Sequence, residues 1–212
     1  MMMRIQRDTN GRRQTLSPAQ TGPSATIFSN RVLEAKAKLI TAVISGKSSY
    51  VQGDEVPLRY RLLTDSALRL ADLGQQAAYF DLTDLAYQYD LAKWMHNTLR
   101  LLAIQLNVPL PDSAWWVTHS ETDPVAAFVQ FLEEKVLPQA EKPILLSFDE
   151  VDQLLKVPLA ADFWRLLMQI EAARLREPKF AELTVILWGS ASWEMLAGNG
   201  RFPTAALKQI IL

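Results

Sequence analysis

The sequence predicts an α/β fold in three layers, a parallel sheet with helices on both faces. Three observations carry that expectation. Several short runs are apolar throughout rather than alternating, as strands buried on both faces must be. Amphipathic stretches of helical period separate them. Polar or acidic residues stand just past the runs, where parallel sheets present their carboxyl ends to ligands.

The elements follow in order. Residues 32–44 (VLEAKAKLITAVI) read as a helix with Val32, Leu33, Leu39, Ile40 and Val43 on its apolar face. SSYVQG (48–53) reads as a short strand ending in glycine. Residues 57–74 suit a helix, with Pro57 near its start and Gly74 after its last turn. QAAYFDLT (76–83) is a second strand, and residues 90–107 form a long helix with Leu91, Trp94, Met95, Leu101 and Leu102 on one side. Asp123 then Pro124 is an N-cap followed by a proline in the first turn, opening VAAFVQFLEEKVL. PILLSFDEVD (143–152) is an apolar strand that ends in acids. Residues 161–176 give another amphipathic helix, and ELTVILWGSAS (182–192) gives a further apolar strand.

Composition narrows the function. The chain has 212 residues, 49% of them hydrophobic, enough to build one sizeable core. Residues 1–25 mix Arg, Gly, Pro, Ser and Gln without periodicity and read as a flexible tail, leaving 26–212 as one domain. Twenty-two basic against 23 acidic residues give a net charge of −1, which argues against a specific nucleic-acid partner. Cysteine is absent, excluding disulfides, thiolate metal sites and cysteine nucleophiles. His96 and His119 are the two histidines, too few for a histidine metal cage, and His96 reads as a packed or surface residue on its helix. No apolar run approaches the roughly 18 residues of a membrane span, and the first residues lack a signal-peptide core. A cytoplasmic protein without a membrane partner is expected.

The sharpest chemical signal is Ile144-Leu145-Leu146-Ser147-Phe148-Asp149-Glu150. A buried strand delivering two acids is the Walker B arrangement. Asp149 would hold Mg²⁺ there, and Glu150 would orient the water attacking a γ-phosphate. The plainer reading is that Asp149 or Asp152 caps the next helix. Both acids are expected at the end of a central strand, beside the end of the 48–53 strand.

A phosphate loop must then follow an earlier strand. Gly46-Lys47-Ser48-Ser49 offers the letters but precedes its strand, so it reads as a helix stop with a solvated lysine. The register that works is Gly53-Asp54-Glu55-Val56-Pro57-Leu58-Arg59-Tyr60, with the loop length and first glycine of a Walker A. Leu58 replaces the second glycine, Arg59 the lysine and Tyr60 the Mg²⁺-binding hydroxyl. A leucine crowds the space in which backbone amides curl round a phosphate, and an arginine is longer and planar. Asp54 and Glu55 add negative charge facing a polyanion.

ISGKSSYVQG, LADLGQQAAYFDLTDL, FLEEKVLPQAEKPILLSFDEVDQLL and TVILWGSASWEML, in that order, resemble the AAA-like, STAND-type P-loop signalling ATPase domains of large cyanobacterial proteins. The resemblance spans roughly residues 28–212. Family members carry Arg-Gln-Met-Gly-Lys-Ser-Ser at the phosphate loop, and an ungapped alignment places Leu58-Arg59-Tyr60-Arg61 on Gly-Lys-Ser-Ser. The resemblance implies ATP and Mg²⁺ as cofactors, Gly53, Arg59, Tyr60 and Ser190 at the nucleotide, Asp149 at the metal and Glu150 as the catalytic group. Ser190 or Ser192 would sense the γ-phosphate, although small polar residues also end strands routinely. Asp81 matches the family's Asp-Leu-Thr and is expected to fix a loop. Trp115-Trp116 is read as packing, with an exposed partner patch as the alternative. TAALKQIIL stops where the family enters a further strand and a helical lid, so a shortened or split member is expected.

The reading that follows is a regulatory or scaffold domain with nucleotide binding weak or lost, meeting protein partners in a signalling assembly. The alternatives are an Mg²⁺-dependent ATP-hydrolysing switch, and a nonfunctional remnant of a larger protein.

Overall fold

A computed structural model describes residues 23–83, 90–110, 112–198 and 207–212. Its sheet has five parallel strands: β1 (Ser49–Gln52), β2 (Gln76–Asp81), β3 (Ile144–Asp149), β4 (Leu183–Gly189) and β5 (Lys208–Ile211). Their spatial order is β2-β3-β4-β1-β5. The period of two along each strand divides the core. Ile144, Leu146 and Phe148 of β3 join Leu183, Val185 and Leu187 of β4 on one face, whereas Leu145, Ile186 and Trp188 turn to the other. Helices α1 (Pro23–Ile44) and α2 (Val56–Asp72) cover the second face. The first face carries α3 (Leu91–Leu106), α4 (Ser113–Ser120), α5 (Pro124–Phe131) and α6 (Ala160–Arg176), and α7 (Trp193–Ala197) follows β4. The expected three-layer α/β fold is present.

The differences in the elements have local causes. α1 begins at Pro23, inside the expected tail of residues 1–25, of which 1–22 lie outside the described residues. Strand β2 stops at Asp81, whose Oδ1 accepts from the Thr83 amide at 2.8 Å and the Thr83 hydroxyl at 2.6 Å. Asp81 thus turns the chain, as expected. The helix opened by Asp123 is α-helical only to Phe131, then widens into a π turn over Leu132–Val136 and tightens over Leu137–Gln139. α4 had no legible period because it is short, and Trp115 and Trp116 are packing residues. Trp116 is buried with its ring stacked on His96, and Trp115 stacks on His119 at a ring separation of 4.1 Å.

Gly46-Lys47-Ser48-Ser49 closes α1 and leads into β1 at the amino edge of the sheet. Gly46 has φ 64°, a left-handed conformation that favours glycine, and its amide donates to the Val43 carbonyl. Buried Ser48 ties this corner together. Its hydroxyl donates to Glu171 Oε1 at 2.6 Å and accepts from the Val185 amide at 3.2 Å and Arg174 Nη1 at 3.1 Å. Arg174 Nη2 also donates to the Gly46 carbonyl. The string clamps α6 to the sheet, at the end opposite the two acids.

At the outer edge of β2, the Gln105 side-chain amide both accepts from the Tyr79 amide at 2.8 Å and donates to the Tyr79 carbonyl at 2.9 Å. A side chain there makes the pair of bonds a further strand would make.

Candidate functional site

The carboxyl ends of β1, β3 and β4 converge, and α2 supplies the residue that joins them. β1 ends at Gln52, and only Gly53, Asp54 and Glu55 separate it from α2. The structure therefore corrects the expected loop: 56–60 is already helical, and Pro57 suits a first turn, where its missing N–H needs no partner. No long cradle of backbone amides is open to a phosphate among these residues.

Arg59 lies one turn into α2 and points back beneath the strand ends. It is 2% exposed, and such burial is rare for arginine unless its donors are paired. Nη1 donates to the Gly53 carbonyl at 3.0 Å, Nη2 pairs with Glu150 Oε1, and Nε lies 3.4 Å from Asp149 Oδ1. Tyr60, about 100° further round the helix, is 66% exposed and stands away from this cluster. The structure thus gathers Gly53, Arg59, Asp149 and Glu150, and leaves Tyr60 outside.

Asp149 and Glu150 do end a central strand. They are not beside β1, since β4 lies between β3 and β1 in the sheet, and the reach of Arg59 spans the gap. Asp149 is further occupied: Oδ1 accepts from the Glu150 amide and Oδ2 from the Tyr79 hydroxyl, both at 2.8 Å. Glu150 has φ 56° and ψ 37°, a left-handed conformation costly for a non-glycine residue. Burial and the bond to Asp149 raise the Tyr79 hydroxyl above the ordinary tyrosine range.

Ser190 belongs to the same edge through Asp152, which does not cap the following turn. Asp152 lies in the 3₁₀ turn Val151–Lys156, which has no side-chain cap, and reaches across to β4 instead. Its Oδ2 accepts from the Ser190 amide at 2.7 Å and the Ser190 hydroxyl at 2.8 Å, and its Oδ1 accepts from the Ala191 amide at 2.8 Å. Ser192 takes another part, capping α7 through the Met195 amide. A Cβ on Gly189 would lie 2.8 Å from Asp152 Oδ1 and 3.0 Å from the Tyr50 hydroxyl, so this approach requires glycine. The Tyr50 hydroxyl donates to the Ala191 carbonyl at 2.6 Å, and burial, then Asp152, raises its ionisation range. Tyr79 and Tyr50 are members that the sequence does not single out, and it offers Asp152 only as a helix cap. A regular alternation aims Tyr79 and Tyr50, but their hydroxyl partners depend on which strands become neighbours.

The electrostatics are one-sided. Asp54 and Glu55 follow β1, Asp81 ends β2, and Asp149, Glu150 and Asp152 lie at and after the end of β3. Arg59 is the buried cation among them. Beside Gly53 a cavity of about 200 Å³ opens toward α1, lined in part by Arg31, Asp54, Glu55, Leu58 and Leu212. Leu212 packs onto Gly53 so closely that a Cβ there would lie 2.7 Å from its Cδ1. Among the described residues no group of three or more metal-ligating side chains is placed to hold an ion.

Comparison with solved structures finds the same fold elsewhere. The chain is similar to the Aeropyrum pernix ORC1 protein in complex with DNA (TM-score 0.52, 12% identity), covering 84% of this chain and 44% of that one. It is similar to a chain of Drosophila ORC bound to AT-rich DNA and Cdc6 (TM-score 0.55, 10% identity; 89% and 56% covered). It is also similar to the Aeropyrum pernix ORC2 protein in ADPNP–ADP complexes (TM-score 0.55, 13% identity; 92% and 50%). The likeness is one of fold, a three-layer parallel α/β sheet of P-loop-like type, and the chain spans about half the length of these neighbours. No protein-family model and no curated protein matches the sequence.

These neighbours correct the expectation about partners. Two of the three are described with DNA, so near-neutral charge does not exclude nucleic acid for a domain of this fold. No helix among the described residues is long and apolar enough to cross a membrane.

Proposed function

We propose that this chain is a regulatory or scaffold domain of AAA-like type in which nucleotide binding is weak or lost. One observation carries the reading: the Arg59 guanidinium occupies the space between Asp149, Glu150 and Gly53. A Mg²⁺ ion does not fit there, because a cation already neutralises the two acids and both oxygens of Asp149 are engaged. The ATP implied by the resemblance fares no better. The turn that should wrap its phosphates is three residues long and acidic, and Ser190 already donates its hydroxyl proton to Asp152. Gly53 and Arg59, which the resemblance assigns to the nucleotide, bond one another instead. The STAND-type signalling role belongs to this reading too, on the resemblance of the four ordered segments.

The rival reading, ATP hydrolysis with Glu150 as catalytic group and Mg²⁺ at Asp149, draws support from the acids at the end of a central strand. Calorimetric titration separates the two. ATP with Mg²⁺ is expected to bind more weakly than about 100 μM, roughly −5.5 kcal/mol. Micromolar binding by the natural sequence, abolished by Arg59→Ala, would overturn the proposal and promote the rival.

A further inference from the structure

The contacts at the carboxyl edge form a closed circuit. Arg59 Nη1 donates to the Gly53 carbonyl, and the Gly53 amide donates to the Gly189 carbonyl at 2.9 Å. The next residues, Ser190 and Ala191, donate to Asp152. Asp152 follows Glu150 by two residues in the same tight turn, and Glu150 returns to Arg59. Each strand end is thus held by the next, and one side chain closes the loop.

We propose that Arg59 is the pin of an interlock joining the ends of β1, β3 and β4, so that the β4–α7 junction is held while the guanidinium is seated. The physical reason lies in Glu150. Its left-handed backbone is costly for glutamate and persists because surrounding contacts over-determine it. Arg59 is the contact that reaches its carboxylate. With the guanidinium withdrawn, Glu150 and Asp149 are adjacent like charges, and relaxation of residue 150 toward ordinary dihedrals swings Asp152 off Ser190 and Ala191. The circuit then opens as one cooperative unit. Arg59 acts in this device as a positioning residue. The inference concerns the same site as the proposed function but does not require nucleotide to bind or fail to bind.

The test is amide hydrogen exchange, resolved by residue, on the nucleotide-free full chain. Arg59→Met is expected to speed exchange at Ser190 and Ala191 by about tenfold or more beyond any rise at Val185, which is bonded to Ser48 at the opposite edge and reports the global loss of stability. Adding Glu150→Gly is expected to restore protection at Ser190 and Ala191, because glycine holds the left-handed turn without a clamp and removes one of the repelling charges. Should Arg59→Met not fold, Arg59→Lys serves the same comparison, since an ammonium cannot bridge the Gly53 carbonyl and Glu150 together. Unchanged exchange at Ser190 and Ala191 would overturn the interlock. So would a uniform rise that includes Val185, or a failure of Glu150→Gly to restore protection. Tight nucleotide binding by the natural chain would refute the proposed function without touching this result.

Discussion

Replacing Arg59 by methionine keeps much of the apolar stem and removes five N–H donors and a charge. Three partners are left behind. The Gly53 carbonyl loses its buried donor, which costs about 1 kcal/mol or slightly more. Glu150, with 28% of its side chain exposed, partly rehydrates, so its loss is held to about 1 kcal/mol. Asp149 is 13% exposed and rehydrates less, but keeps the Tyr79 hydroxyl and the Glu150 amide. Its loss falls below the 3–5 kcal/mol typical of a stranded buried charge, at about 1–2 kcal/mol. Together the substitution should cost about 3–4 kcal/mol, a large share of the roughly 5–15 kcal/mol that stabilises most domains. Urea unfolding followed by tryptophan fluorescence measures it, since Trp188 and Trp193 flank the strand end. With a slope of about 2 kcal/mol per molar, the midpoint should fall by roughly 1.5–2 M. A cost below about 1 kcal/mol would mean that Arg59 is not the counter-ion of these acids, and the reasoning would fail.

Other expectations are narrower. Gly189→Ala should destabilise by about 1–3 kcal/mol, since its Cβ meets Asp152, Val151 and Tyr50 at 3.0 Å or less; unchanged thermal unfolding would refute the close approach. Ser48→Ala should cost about 1–3 kcal/mol by stranding the Val185 amide, and amide exchange should rise at Val185 while the Ser190 amide stays protected. Tyr79 and Tyr50 both hold their protons above the ordinary range near 10, so the stability they confer is complete below pH 10 and is lost as pH rises beyond it. Ultraviolet titration should show Tyr50 and Tyr79 ionising late, and Tyr79→Phe should remove part of that late signal; the absence of any late-ionising tyrosine would refute both assignments.

The three layers were legible because buried parallel strands leave a plain mark: LLSF and TVILW have no polar alternation, and Asp-Pro at 123–124 marks a helix start. Gly46-Lys47 was legible as a stop because a phosphate loop cannot precede its strand. Asp149 and Glu150 were found by position alone. The short turn after β1 was legible too, since Pro57 marks the start of a helix over 57–74; the Walker A letter spacing over 53–60 conflicts with that start, and α2 begins at Val56. Arg59 was read as a poor lysine because its partners, 90 and 91 residues downstream, are fixed by strand order. Tyr60 was misplaced with it, since neighbours in sequence diverge by about 100° on a helix. Asp152 looked like a cap because its true acceptor role needs β4 beside β3.

The amide of Gln105 gives the molecule a handedness in how it can associate. With the Tyr79 backbone groups already satisfied by a side chain, a strand arriving at β2 must first displace an intramolecular pair of bonds. β5, at the other end of the sheet, has no such plug among the described residues, and its Ile211 is 70% exposed. Among the described residues, the addition of a further strand is thus biased toward β5 and away from β2. Gln105→Leu would remove that bias and make both margins competent.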